Sequence, residues 1–320
     1  MRKAESRSAK RRGGGTTPRV APLVGQQSVA ALVDEVARRL DVLDEPVREA
    51  RELVAALLDV PRHWPSLHAN KWVESDVWYR ALSAADRRAS GVPLAYAVRR
   101  ASFRGLTLDV DGRVLIPRPE TELLVDFVLK GCAPGGMAID VGTGSGAIAI
   151  ALATEGKFDR VVATDISTDA LAVARANAER YGCNLEFLPG DLLKALAVPP
   201  AHGREGGQRR RMAGVRAVVS NPPYIAFDEI AALPASVRDW EPSVALLSAN
   251  NGMATTARLV RQAAKVLEPG GLLALEVDAR RAGLVAEMVA SHGKYDRVAV
   301  ELDLTGRERY VLARRLGERE

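Results

Sequence analysis

The segment Ala138-Ile-Asp-Val-Gly-Thr-Gly-Ser-Gly-Ala constrains this 320-residue chain more than any other. An apolar, strand-like stretch runs into three alternate glycines and then into a helical pattern carrying Ile148, Ile150 and Leu152. Glycine is required where a Cβ would block a ligand or where φ must be positive, so the main chain is expected to pass close to a bound molecule here. Met137 to Val141, Arg160 to Thr164, Leu185 to Leu188, Arg216 to Ser220 and Gly271 to Val277 all read as strands, with helical patterns between most of them. From Pro119 onward this alternation predicts an α/β fold with a mostly parallel sheet covered on both faces. Arg297 to Leu304 and Arg309 to Arg314 are separated only by Thr305-Gly306-Arg307-Glu308, too short for a crossover, so they are expected to pair antiparallel.

The glycine turn alone leaves two cofactor classes open. Gly142, Gly144 and Ala147 satisfy the G-x-G-x-x-G/A fingerprint of nicotinamide and flavin enzymes. Asp165, at the end of the next strand and about 20 residues past the glycines, is placed to bind a ribose hydroxyl pair. Its structural alternative is to cap the following helix.

The N-terminal part has a different character. Residues 1–24 form a basic tail, MRKAESRSAKRR followed by glycines, that is expected to be disordered. Residues 25–92 read as a small helical domain. Val29, Leu32, Val33, Val36 and Leu40 line one helix face, and a second helix opens at Asp44 and Pro46, is lined by Val47, Val54, Leu57 and Leu58, and stops at Pro61. A third is expected around Ser83, with Asp86 three residues on. Trp64, Trp72, Trp78 and Tyr79 are expected mainly in the core, because a small bundle needs large side chains to bury enough area. Residues 93–118 read as a hairpin linker, with its turn at Asp111-Gly112 and a returning strand at Val114-Leu-Ile. Residues 119–320 form the α/β domain.

With 47% hydrophobic and 27% charged residues the chain has material for a sizeable core. Its two cysteines, Cys132 and Cys183, make no disulfide framework and lack the spacing of a metal site, which fits a reducing cytoplasm. No apolar run approaches the roughly 20 residues of a membrane span. The net charge of +5 is concentrated in the tail and in Arg209, Arg210 and Arg211.

Ala217-Val-Val-Ser carries a strand into Asn221-Pro222-Pro223-Tyr224. This tetrapeptide suits a planar nitrogen, whose delocalised lone pair attacks only when its NH2 group is oriented and its developing charge meets acceptors. The side-chain oxygen of Asn221 and the carbonyl of Pro222 are such acceptors. The two prolines hold them still, and Tyr224 offers a face for the flat group.

Asp140 two residues before Gly142, the third glycine Gly146 and the closing antiparallel pair resemble the seven-stranded methyltransferases that bind S-adenosylmethionine. That resemblance implies a Rossmann-like sheet in which Asp140, Gly142, Thr143, Gly144, Ser145 and Gly146 flank the methionine part, Asp165 holds the ribose and Asp191 with Leu192 borders the adenine. Asn221 then lies between cofactor and substrate, and Asn221, Pro222, Pro223 and Tyr224 form the substrate side. Val114-Leu-Ile-Pro-Arg-Pro-Glu-Thr-Glu-Leu-Leu-Val, Asp165-Ile-Ser, Ser220 to Ile225, Glu241-Pro242 and Leu267-Glu-Pro-Gly-Gly-Leu-Leu-Ala-Leu-Glu narrow it further. Together they resemble the release-factor glutamine methyltransferase family over roughly residues 28 to 315. The family implies a cytoplasmic enzyme of translation termination, expected as a monomer, that uses its helical domain to dock a peptide chain release factor. It then methylates the glutamine of a Gly-Gly-Gln motif, without binding nucleic acid directly. Methylation of a ribosomal-protein glutamine or of a nucleic-acid base amino group is the alternative. Asn250-Asn251-Gly252-Met253, Glu276-Val-Asp-Ala-Arg-Arg and a long basic loop between Asp191 and Asn221 depart from the family pattern. The loop contains a Gly206-Gly207-Gln208 of its own.

Overall fold

The computed structural model describes residues 27–197 and 214–317; the N-terminal tail, Arg209 to Arg211 and Gly206-Gly207-Gln208 lie outside them. A two-residue strand β1 (Gln27–Ser28) leads into α1 (Val29–Arg39), where the Ser28 hydroxyl accepts from Ala31 N as an N-cap. There follow α2 (Pro46–Leu58), the short α3 (Trp64–Leu67), β2 (Trp72–Val73), α4 (Ser75–Ala89) and α5 (Leu94–Val98). Leu32, Val36, Leu53, Val54, Trp78 and Ala81 make the core of this bundle. Ala170 and Val173 belong to the same cluster, so the bundle is seated on a helix of the α/β domain.

Three expectations for this half are corrected. Ser83 is interior to α4, which begins eight residues earlier at Ser75; its hydroxyl accepts from Arg87, and Asp86 instead binds Arg39 of α1 at 2.7 Å. Val47 points outward and is 47% exposed, the buried face of α2 being Ala50, Leu53, Val54, Ala55 and Leu57. Of the aromatics, Trp78 is buried, whereas Trp72 is 64% and Tyr79 50% exposed.

The hairpin is β3 (Arg100–Phe103) and β4 (Leu106–Asp109), so its turn is Arg104-Gly105. Asp111-Gly112 makes a separate turn closed by Val114 N to Asp111 O at 3.0 Å, and no strand returns after it. Arg104 takes φ +54, unusual for a side chain, because tertiary contacts hold it: its backbone N–H donates to Glu122 at 2.8 Å, and its guanidinium binds Glu155 and Asp126.

The α/β domain continues with α6 (Pro119–Gly131), β5 (Met137–Val141), α7 (Ala147–Glu155), β6 (Arg160–Asp165), α8 (Thr168–Arg180), β7 (Leu185–Pro189) and β8 (Val215–Ser220). It closes with α9 (Ala235–Arg238), α10 (Ser243–Leu246), α11 (Ala254–Val266), β9 (Leu267–Glu276), α12 (Ala282–Ser291), β10 (Tyr295–Leu302) and β11 (Glu308–Arg315). The seven-stranded sheet has the order β10-β11-β9-β8-β5-β6-β7, with β11 antiparallel to both its neighbours and the other pairings parallel. Apolar clusters cover both faces, as a parallel sheet demands. Chain order reverses between β5 and β8. In open α/β sheets the crevice at such a switch point, beyond the carboxyl ends of the strands, is where ligands bind.

Candidate active site

The glycine turn lies at the carboxyl end of β5 and is fixed from beneath. Gly142 and Thr143 donate to the carbonyl of Thr164 at 2.8 and 3.0 Å. Gly142 and Gly144 have φ of +73 and +56, and a Cβ built on either meets no atom within 4 Å, so bare backbone borders open space there. At Gly146 the reason differs: φ is +85 and a Cβ would come within 3.2 Å of Ala174, so this glycine lets α7 pack on α8.

Asp140 is fully buried. Its Oδ2 accepts from Thr143 Oγ1 at 2.6 Å and from Ala149 N, in the first turn of α7, at 3.1 Å, while its Oδ1 has no partner. Burial pushes this carboxyl up to about 7. Asp165 accepts from Gly144 N and from Ser167 N, both at 2.9 Å, and burial raises it as well. The cap of α8 is Ser167, so Asp165 is not needed as one. An orphaned buried acceptor, two carboxyls that burial makes reluctant to ionise, and an open glycine floor fit a ligand that brings positive charge and ribose hydroxyls, as S-adenosylmethionine does.

Asp191 follows β7 beside these groups, Gly190 N donating to Asp165 O at 2.9 Å. Its carboxylate, however, is held by Arg258 and Lys194, and Leu192, at φ +55, packs against the neighbouring apolar cluster.

Asn221 begins the segment after β8, next to β5, and Ser220 Oγ donates across to Val141 O at 2.6 Å. The Asn-Pro-Pro-Tyr tetrapeptide and the glycine turn therefore leave the sheet side by side. Pro222 is buried, and Asn221, Pro223 and Tyr224 are half-buried. The backbone beyond is locked by Ile225 N to Leu246 O and Ser248 N to Ile225 O, both at 2.9 Å. Gly252 packs directly on Tyr224: its φ is +80, and a Cβ there would sit 2.0 Å from the Tyr224 carbonyl oxygen. Burial, with the Glu276 carboxyl close by, pushes the Tyr224 hydroxyl up to about 12, so it stays protonated.

Sequence reasoning missed three residues. The Asn221 amide nitrogen donates to Thr121 Oγ1 at 3.2 Å, and that hydroxyl donates to Glu276 Oε2 at 2.7 Å. Asn177, fully buried on α8, donates from Nδ2 to Ser145 O at 2.9 Å and to Asp109 O at 3.0 Å, and accepts from Asp109 N at 2.8 Å. It joins the glycine turn to the hairpin. An asparagine among Leu171, Val173, Ala174 and Ala178 on a buried helix face is the signal that marks it.

The fold and this site define an S-adenosylmethionine-dependent methyltransferase. Family profiles described as a methyltransferase domain and as the PrmC N-terminal domain match residues 138–203 and 31–98. The release factor glutamine methyltransferase of Deinococcus radiodurans is 36% identical over 274 residues, 85% of this chain and 92% of that protein. The enzyme of the same name from Moorella thermoacetica is 40% identical over 243 residues, 75% and 81% of the two chains. The chain belongs to the release factor glutamine methyltransferase family. Among solved structures, the hMettl16 catalytic domain in complex with a MAT2A 3′UTR hairpin superposes with a TM-score of 0.50 at 16% identity, over 77% of this chain and 84% of that one, a likeness of fold alone. The nicotinamide reading of the glycine turn is thereby set aside. No helix among the described residues is long and apolar enough to cross a membrane.

Proposed function

We propose that this protein methylates the side-chain amide nitrogen of a glutamine in a peptide chain release factor, in the cytoplasm and as a monomer. The observation that carries the reading is the placement of Asn221 beside the glycine turn, with its amide nitrogen turned back to Thr121 so that Oδ1 is free for an incoming NH2 group. The bound cofactor supplies an electrophilic methyl group on a positively charged sulfur. As the glutamine nitrogen's lone pair leaves amide resonance to form the new nitrogen–methyl bond while the methyl–sulfur bond breaks, positive charge grows on its N–H bonds; Asn221 Oδ1 and the Pro222 carbonyl accept from them, and one of these protons is then lost to water to restore the neutral amide. Pro222 and Pro223 fix these acceptors, and Tyr224, kept neutral, packs against the planar group. Asp140, the Gly142 to Gly146 turn with Thr143 and Ser145, Asp165, and the Asp191-Leu192 backbone surround the cofactor. The helical domain, seated on α8, docks the protein substrate.

The test is incubation with labelled cofactor and, separately, a release factor, a ribosomal protein and DNA. Label is expected on the release factor's Gly-Gly-Gln glutamine; transfer only to one of the others would replace this substrate. Asn221→Ala is expected to lower turnover about 10²- to 10³-fold, the loss on removing one preorganised polar partner, with cofactor affinity kept.

A further inference from the structure

An asparagine amide presents oxygen at one end and NH2 at the other, nearly equal in size, and only the oxygen end can receive an N–H donor. What faces the substrate therefore depends on what holds the other end. Thr121, in the first turn of α6, and Glu276, the last residue of β9, are both buried beside Asn221. When Glu276 is ionised its carboxylate can only accept, so the single hydrogen of the Thr121 hydroxyl is committed to Oε2 at 2.7 Å. That hydroxyl is left only with lone pairs, so it can accept from Asn221 Nδ2, at 3.2 Å, but cannot donate to Oδ1. With Glu276 ionised, the three side chains form a directional chain with one self-consistent arrangement.

We propose that Thr121 and Glu276 are positioning residues that set the amide orientation of Asn221, so that an oxygen and not an NH2 group meets the substrate nitrogen. The inference rests on the reading that Asn221 accepts from the glutamine amide. Without the Thr121 hydroxyl the amide is free to turn over, and the turned form sets one NH2 group against another, removing an acceptor where positive charge develops. Neither residue lies in the Asn-Pro-Pro-Tyr motif or the glycine turn. Chain positions 100 and 55 residues from Asn221 meet it only through the sheet.

The test compares Thr121→Val, which keeps the shape, with Thr121→Ser, which keeps the hydroxyl. Thr121→Val is expected to lower kcat about 10- to 100-fold, the scale of a misplaced catalytic group, with cofactor affinity by calorimetry and the KM for the release factor near parental values. Thr121→Ser is expected to restore most of the rate. Because Thr121 acts through Asn221, Thr121→Val/Asn221→Ala is expected to be no slower than Asn221→Ala alone. Glu276→Gln, which offers Thr121 either a donor or an acceptor, is expected to fall between parent and Thr121→Val and to add nothing in the Thr121→Val background. A parental kcat in Thr121→Val, failure of serine to rescue, full additivity of the double variants, or loss of cofactor affinity in step with rate would overturn the proposal. If Asn221→Ala itself keeps the parental rate, the function proposed above fails. If Asn221→Ala is slow and Thr121→Val is not, only the positioning role fails.

Discussion

The Arg118 guanidinium lies 2.6 Å from the buried carboxylate of Glu241, tying the proline-rich linker to the segment before α10. The contact is to Glu241 Oε1, and Oε2 has no side-chain partner. Arg118→Ala would strand this charge, at a cost of roughly 3 kcal/mol, the low end for removing one partner of a buried pair because Arg118 is itself 33% exposed. Denaturant titration is expected to show that loss, and Arg118→Ala/Glu241→Gln to recover part of it. Equal stability of parent and Arg118→Ala would remove the pair from the list of contacts that hold the linker.

The contribution of two buried carboxyls, Glu276 and Asp140, to the stability of the cofactor-free protein is expected to fall with rising pH. Burial raises Glu276 from 4.5 and Asp140 from 3.8, each to about 7. Between the ordinary and the raised values the folded chain keeps protons that the unfolded chain has released, so unfolding releases protons and is favoured by alkali. Their share of the stability should begin to decline near pH 4, continue to fall to about pH 7 and then level off. Glu276→Gln cannot ionise and is expected to flatten part of the slope in melting temperature between pH 5 and 7. An unchanged slope would show that Glu276 does not carry it.

Gly252→Ala is expected to damage the site from the far side of the catalytic segment. The added methyl would stand 2.0 Å from the Tyr224 carbonyl oxygen at a φ of +80, so Tyr224 or the Asn250 to Gly252 turn must move. Displacing the motif by a fraction of an ångström to an ångström should lower kcat on the order of 10- to 100-fold. Destabilisation of about 1 to 3 kcal/mol should accompany it, as for a side chain forced into a left-handed conformation. Parental turnover in Gly252→Ala would mean that the contact does not constrain the motif.

Trp72 and Tyr79 are large, exposed and on the helical domain, where they add nothing to the core. If that domain docks the protein substrate, Trp72→Ala and Tyr79→Ala should each raise the KM for a release factor about 5- to 50-fold, as loss of an aromatic anchor does. Cofactor affinity and melting temperature should be unchanged. A KM unaffected in both variants would move the docking surface elsewhere.

Sequence made visible whatever is written in consecutive residues. The glycine turn, the strand before it, the Asn-Pro-Pro-Tyr segment and the antiparallel closing pair all stand where local pattern puts them. Their conformations follow from backbone φ, apolar runs and loop length, which short windows contain. The hairpin turn is not legible locally, because Asp111-Gly112 has the better turn signature while Arg104 reaches positive φ only with Glu122, Asp126 and Glu155 to hold it. Trp72 and Tyr79 were expected inside because composition says how much apolar surface must be buried, not which residues bury it. Thr121 and Glu276 fall inside segments that carry the family resemblance, but nothing local to either assigns it a role. Each is an ordinary residue of its element, and their meaning arises from a contact 155 residues apart in the chain.

The distances along the chain between Thr121, Asn221 and Glu276 also bear on when in its life the protein can act. A nascent chain carries the glycine turn and the Asn-Pro-Pro-Tyr segment before Glu276 has been synthesised, and β9, whose last residue is Glu276, is complete only then. Domains of this size fold as cooperative units, N-terminal parts emerging first. On the positioning role proposed for Thr121 and Glu276, an incomplete chain holds an asparagine with no fixed facing, and the oriented amide comes into being with β9.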